Sequence, residues 1–322
     1  MQEFGFELAL SAHLEREREA VVSRQLGTSP HGSRVMDTVL VEPGPGFDDR
    51  AAVTPQTIPA PAIESDVGPG TARYWKDAFD CHPDRAETVV ERAVELGFFE
   101  RDRRNGRTYV RQTTRYPQDW FSRIVGVENK PDLGRPGDLE TQLRKDVSLG
   151  LLDAVVLATE SYVTGAHLNR LPDPVGVWRF DPDTGEREVV REPTPLSADE
   201  AGIDVLERRA ARTEVRPVDA AAKARQRRRV AERAYGKGWR TYEFPGCAEA
   251  AVGDRDGVGG LPYCAWKGRL VHPAAECGPD CDGYDPADPP AVDRDAERAA
   301  NQPWRADPEG RARRQSGLDR WS

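Results

Sequence analysis

Residues 123–130 read Arg-Ile-Val-Gly-Val-Glu-Asn-Lys, an apolar run of Ile124, Val125 and Val127 that ends abruptly in Glu128, Asn129 and Lys130. The β-branched run predicts a buried strand. Side chains alternate along a strand, so Glu128 and Lys130 fall on one face. A Glu-x-Lys at a strand end is often only a surface ion pair of small value. Its surroundings give it more weight. Upstream, residues 33–43 (SRVMDTVLVEP) place Asp37 inside another apolar strand built on Val35, Val39 and Val41. A carboxylate among valines is costly unless something pairs with it, and its bland partners would be Arg34 or a loop amide.

Working outward, Phe4, Leu8 and Leu14 recur near helical spacing, with Glu7 beside that stripe, and predict one amphipathic helix over residues 3–26. After Lys130, residues 138–152 predict a helix carrying Gln142. Residues 153–159 (DAVVLAT) predict a second buried strand, 159–171 a short helix, and 175–190 a hairpin turned at Pro182 to Gly185.

Residues 44–118 interrupt this series, beginning with Pro- and Gly-rich loop to residue 72. Within them, residues 73–115 read as a unit of their own: Trp75 and Phe79 lead into a helix with Val89, Val90, Ala93, Val94 and Leu96 that stops at Gly97. Asn105-Gly106 between extended flanks is a strong hairpin signal. Helices followed by a two-stranded hairpin resemble a winged helix-turn-helix. Arg101, Arg103, Arg104, Arg107 and Arg111 would crowd its wing, as a phosphate-gripping surface requires. The same residues also suit an ordinary solvated hairpin.

An Asp within one strand, a Glu-x-Lys closing the next, then a helix with an inward Gln and a further buried strand resembles the PD-(D/E)XK nuclease superfamily, most closely its small DNA-repair members. The whole chain also looks like a haloarchaeal protein family of uncharacterised activity. The superfamily resemblance implies an α/β, restriction-endonuclease-like core with a mixed central sheet over residues 1–43 and 119–195. It also implies hydrolysis of DNA phosphodiester bonds, in repair or defence, with a Mg²⁺ or Mn²⁺ ion held by Asp37, Glu128 and the main-chain carbonyl of Asn129. Lys130 would orient or deprotonate the attacking water. Glu7 matches an additional acid of some members, and Gln142 a common active-site glutamine. The chain departs from the pattern at Met36, where many members have proline, and at Asp146, where RecB-like relatives have tyrosine. A nucleic-acid-binding protein that has lost catalysis, or a zinc-stabilised interaction scaffold, would keep the same fold.

The 322 residues include 55 acidic against 46 basic side chains, for a net charge of −9, and only 6 of the basic residues are lysine. This acid- and Arg-rich style resembles that of extreme haloarchaea, whose molar salt shortens electrostatic screening to about 3 Å. Net acidity is then a solvent adaptation and does not exclude nucleic acid. No apolar run approaches the roughly 18 residues of a membrane span, and the first ten residues lack the basic start of a signal peptide. The expectation is a cytoplasmic protein with no membrane partner.

Past residue 195 the chain turns polar. Residues 196–239 read as a linker with a basic helix at 217–236 (Arg225, Arg227, Arg228, Arg229, Arg233), either a phosphate contact or a solvated segment. Four of the five cysteines, Cys247, Cys264, Cys277 and Cys281, fall in a module over residues 240–285. Cytoplasmic disulfides are uncommon, so clustered thiols point to a structural zinc, with an iron–sulfur cluster as the alternative and His272 a possible substitute ligand. Cys81 lies apart and reads as a small core residue. Residues 286–322 read as a disordered tail.

Overall fold

A computed structural model describes residues 3–17, 19–27, 34–135, 137–209, 212–255 and 258–308. The chain divides into two units, residues 1–42 with 123–303 and residues 43–122 with 304–322. In chain order the first unit opens with α1 (Glu3–Glu17), β1 (Val21–Gly27) and β2 (Val35–Pro43). The second contributes α2 (Phe47–Ala51), α3 (Ala60–Glu64), β3 (Arg73–Tyr74), α4 (Pro83–Glu95), β4 (Phe99–Arg104) and β5 (Arg107–Gln112). The first unit then resumes with β6 (Phe121–Asn129), α5 (Leu139–Leu149), β7 (Ala154–Thr159), α6 (Gly165–Leu168), β8 (Gly176–Phe180) and β9 (Arg187–Arg191). It ends with β10 (Gly202–Arg209), β11 (Arg212–Val218), α7 (Ala220–Lys237), β12 (Ala250–Arg255), β13 (Val258–Cys264), β14 (Arg269–Leu270), α8 (Pro273–Glu276) and α9 (Arg294–Asn301).

The first unit is α/β, built on a mixed six-stranded sheet in the order β1-β2-β6-β7-β8-β9. β1 pairs antiparallel with β2, β6 parallel with β7, β7 parallel with β8, and β8 antiparallel with β9. Arg123 meets Glu42 at one end of the β2–β6 pair and the Asn129 amide meets Asp37 at the other, so these two strands run antiparallel. Every residue of β7 is buried, as its unbroken apolar run requires.

The expected helix over residues 3–26 is corrected to a helix and a strand. Val21, Val22 and Leu26 are buried and paired to β2 from Val21↔Val41 to Gly27↔Val35. Stiff β-branched side chains suit that ladder better than another helical turn. Nor is α1 amphipathic: Gly5 through Glu15 are all buried. Phe6, Leu10 and Leu14 join one core with Val125 and Val156 of the large sheet and with Val258, Leu261 and Leu270 of the small β12-β13-β14 sheet.

Three further expectations change for the same reason, that distant packing organises polar sequence. The basic helix is α7, and it is not a solvated linker: Val230, Ala231, Ala234 and Tyr235 are buried, and Arg227 donates to the Leu151 carbonyl and to Asp153. The cysteine-bearing region belongs to the same unit as the sheet. Residues 286–308 are ordered by α9, whose Arg298 is buried and donates to the Tyr235 carbonyl at 2.7 Å. Residues 309–322 of the expected tail lie outside the described residues.

One buried acid on α1 is satisfied from far along the chain. Glu15 accepts two bonds from Arg240, one from Trp239 Nε1 and one from Gln302.

The second unit is organised by a three-stranded sheet in the order β3-β5-β4 against α4, with Val89, Val90, Phe98, Phe99 and Val110 buried. The expected hairpin forms at Asn105 and Gly106, both at positive φ (50° and 77°), as a two-residue turn between twisted strands demands. Gly44 lets the chain pass close to its own return, since a Cβ there would lie 2.2 Å from the Asp119 carbonyl oxygen. Trp304 donates to the Pro55 carbonyl at 2.9 Å.

Candidate functional site

At one end of the large sheet, β2, β6 and α5 open onto a cleft of about 740 Å³ lined by Asp37, Glu128, Asn129, Lys130, Gln142 and Lys145, among others. Strand alternation places Glu128 and Lys130 there together, and Lys130 stays in line because its amide continues the ladder to the Ala158 carbonyl at 2.8 Å. Five of the residues marked in the sequence, Asp37, Glu128, Asn129, Lys130 and Gln142, thus converge on one cleft. Glu7 is buried beneath it. It accepts from Arg24 Nε at 2.9 Å and from Gln25 Nε2, which also reaches Asp37 Oδ1 at 3.4 Å.

Asp37 is held by a main-chain amide, since its Oδ2 accepts from the Asn129 N–H at 2.9 Å. Burial pushes its pKa up to about 6. The Asn129 amide opposes that shift and the negative charge of Glu7 adds to it. Burial and then the charge of Asp37 push Glu128 up to about 8, against the pull of Arg34. The two acids are close enough to titrate as a pair. Asn129 Oδ1 is buried with no hydrogen-bond partner among the described residues.

Sequence reading offered Arg34 as a partner for Asp37, but the acids it hydrogen-bonds are two others. Arg34 donates through Nε and Nη2 to both oxygens of Asp146, at 2.8 and 2.7 Å, and through Nη2 to Glu128 at 2.5 Å. Burial disfavours the Arg34 charge, but the bonds and charges of Asp146 and Glu128 outweigh it and raise its pKa. Asp146 is raised by burial against the bonds from Arg34. A signal was present, because Asp146 follows Gln142 by four residues and so shares its helical face.

Two carboxylates with depleted solvation, one sharing a single guanidinium with a third acid, form an oxygen donor set suited to a hard divalent cation. Among the described residues, however, no three His, Cys, Asp or Glu side chains are gathered as a ready metal-ligand group.

The five arginines of the β4–β5 hairpin are exposed, but two are already paired, Arg104 with Asp102 and Arg111 with Glu100. Arg107 lies over the Tyr74 ring at 5.6 Å. The exposed face of α4 carries Asp84, Glu87, Glu91 and Glu95, which would repel phosphate.

Away from the cleft, Cys247, Cys264, Cys277 and Cys281 all line one small pocket. Cys81 is not among its lining residues. His272 is not either: its Nδ1 caps α8 by accepting from the Ala275 amide at 3.1 Å, and its ring packs on Phe4. No helix among the described residues is long and apolar enough to cross a membrane.

No curated protein and no solved structure matches the chain. The model of a family of unknown function, DUF5787, matches residues 21–286, from the first strand of the large sheet to beyond the last of the four pocket cysteines, and the protein belongs to that family.

Proposed function

We propose that the protein is a metal-dependent nuclease that hydrolyses DNA phosphodiester bonds. The observation that carries this reading is the convergence of Asp37 from β2 with Glu128 from β6 and Lys130 just past its end in one open cleft at a sheet end. The element order supports it: after α1 and the additional strand β1, the Asp strand β2, the Glu-x-Lys strand β6, the Gln-bearing helix α5 and the buried strand β7 follow in the order the PD-(D/E)XK resemblance implies. The strands β2, β6 and β7 are neighbours in the sheet.

Asp37, Glu128 and the Asn129 main-chain carbonyl would hold Mg²⁺ or Mn²⁺. Such an ion, when bound, polarises a phosphoryl oxygen and makes coordinated water acidic. Lys130 carries positive charge to the phosphate and orients the attacking water. Gln142, from the facing helix, donates to phosphate or water. Arg34 holds Glu128 in place and offsets part of its charge.

The hairpin of the second unit is the better candidate for gripping DNA than α4, whose exposed acids oppose it. A winged-helix reading of that unit therefore rests on its wing. One observation favours a catalytically silent DNA-binding protein as the second reading: Arg34 already engages the Glu128 carboxylate that a catalytic cation would need.

The test is cleavage of single-stranded, duplex and branched DNA in molar KCl with Mg²⁺ or Mn²⁺. We expect the parent to cleave at least one substrate, and Lys130→Ala to lower the rate by roughly 10²–10⁴-fold with DNA affinity nearly unchanged. A parent that binds DNA but cleaves nothing with either ion would replace this reading with the silent one.

A further inference from the structure

We propose that Cys247, Cys264, Cys277 and Cys281 hold one structural zinc ion that pins the segment after β14 to the β12-β13-β14 sheet. The four residues come from separate places. Cys247 forms an isolated bridge with Pro286 just before β12. Cys264 ends β13, Cys277 follows α8, and Cys281 closes a turn by donating its amide to the Gly278 carbonyl at 3.0 Å. Segments 17, 13 and 4 residues apart thus return to one point. None of the thiols is in a disulfide.

The pocket they line measures about 20 Å³. That is room for little more than one water-sized sphere, which excludes an organic ligand and suits a single ion. Soft thiolates in a closed tetrahedral set select zinc. The four cysteines line this pocket without being gathered as a ready ligand group, so loading must draw their sulfurs in to about 2.3 Å from one centre.

The surroundings suit a cluster of thiolates. The Lys267 amide donates to Cys264 Sγ at 3.4 Å, and the Gly268 amide closes the same turn on the Cys264 carbonyl at 2.9 Å. Lys267 and Arg269 place two cations nearby, both held by Glu276. Four thiolates around Zn²⁺ leave a net charge of −2, of which these two cations, themselves sharing Glu276, offset part. The segment needs a crosslink, because residues 277–293 contain no helix or strand beyond the Cys247–Pro286 bridge.

The test is independent of catalysis and uses the full chain. Elemental analysis of protein purified without chelator should find about one zinc per chain. Exchange into Co²⁺ should give the visible d–d bands and thiolate charge-transfer band of tetrahedral cobalt. Joint Cys264→Ser and Cys277→Ser substitution should remove both ion and bands, and Cys81→Ser should keep them. A parent that holds no zinc and gives no such cobalt spectrum overturns the proposal. So does stoichiometric iron with a cluster absorption, or zinc retained at parental level in the double variant.

Discussion

Arg34 donates to Glu128 at 2.5 Å, so the acid that closes β6 shares a guanidinium already clamped by Asp146. Removing that guanidinium would strand two buried carboxylates. Arg34→Ala should lower unfolding free energy by about 3–5 kcal/mol in chemical denaturation without metal. Mg²⁺ or Mn²⁺ should restore more stability to this variant than it adds to the parent, since a divalent cation can replace the missing charge. Equal stabilisation of both proteins would mean that Arg34 and the ion do not compete for Glu128.

Acidity of the cleft gives a pH signature with a definite sign. Glu128 rises from 4.5 to about 8 on folding and Asp37 from 3.8 to about 6. Between the unfolded and folded values the native state binds more protons than the unfolded chain, so stability falls as pH rises. In chelator, melting temperature should decline from about pH 5 to 8, with a loss of order a few kcal/mol. Glu128→Gln should flatten that decline. A profile that rises over this range would contradict the raised values.

The hairpin and the cleft should separate by mutation. Replacing Arg103, Arg104 and Arg107 together with Ala should weaken DNA binding and reduce the salt dependence of log K by about one unit for each phosphate no longer neutralised. Fluorescence anisotropy across a KCl series measures both. Glu87→Gln with Glu91→Gln on α4 should leave affinity unchanged or raise it. Weaker binding in the α4 variant, with no effect of the hairpin variant, would move the DNA-binding surface to the helix.

Glu15 offers a stability test in the core. Glu15→Ala leaves Arg240 buried without its carboxylate and should cost about 3–5 kcal/mol. Gln302→Ala removes one bond to the same acid and the acceptor of the Val22 amide, and should cost about 1–3 kcal/mol. Denaturant midpoints that do not follow this order would show that another group neutralises Arg240.

The sequence makes the cleft legible where chemistry follows local periodicity. Asp37 and Glu-x-Lys interrupt apolar strands, and alternation alone assigns Glu128 and Lys130 to one face. Arg34 was illegible as the pivot because its value is non-local: nothing near residue 34 announces partners 94 and 112 positions away. The end of α1 was misread because Val21, Val22 and Leu26 suit a buried helix or strand equally well from spacing, and the ladder to β2 decides between them. The basic segment of α7 and the polar segment around α9 look solvent-exposed because Arg227 and Arg298 dominate their composition. Both arginines spend their donors on distant carbonyls instead.

The four bonds to Glu15 tie the thirteenth residue of α1 to Trp239, Arg240 and Gln302, up to 287 positions later. Synthesis delivers these partners only after the large sheet's strands have all emerged. Without them α1 carries a buried carboxylate that has lost these four bonds. The arrangement acts as a check on chain completeness. A chain cut short before residue 239 keeps every cleft residue yet lacks the groups that neutralise Glu15, so such a truncation should be more readily proteolysed than the full chain.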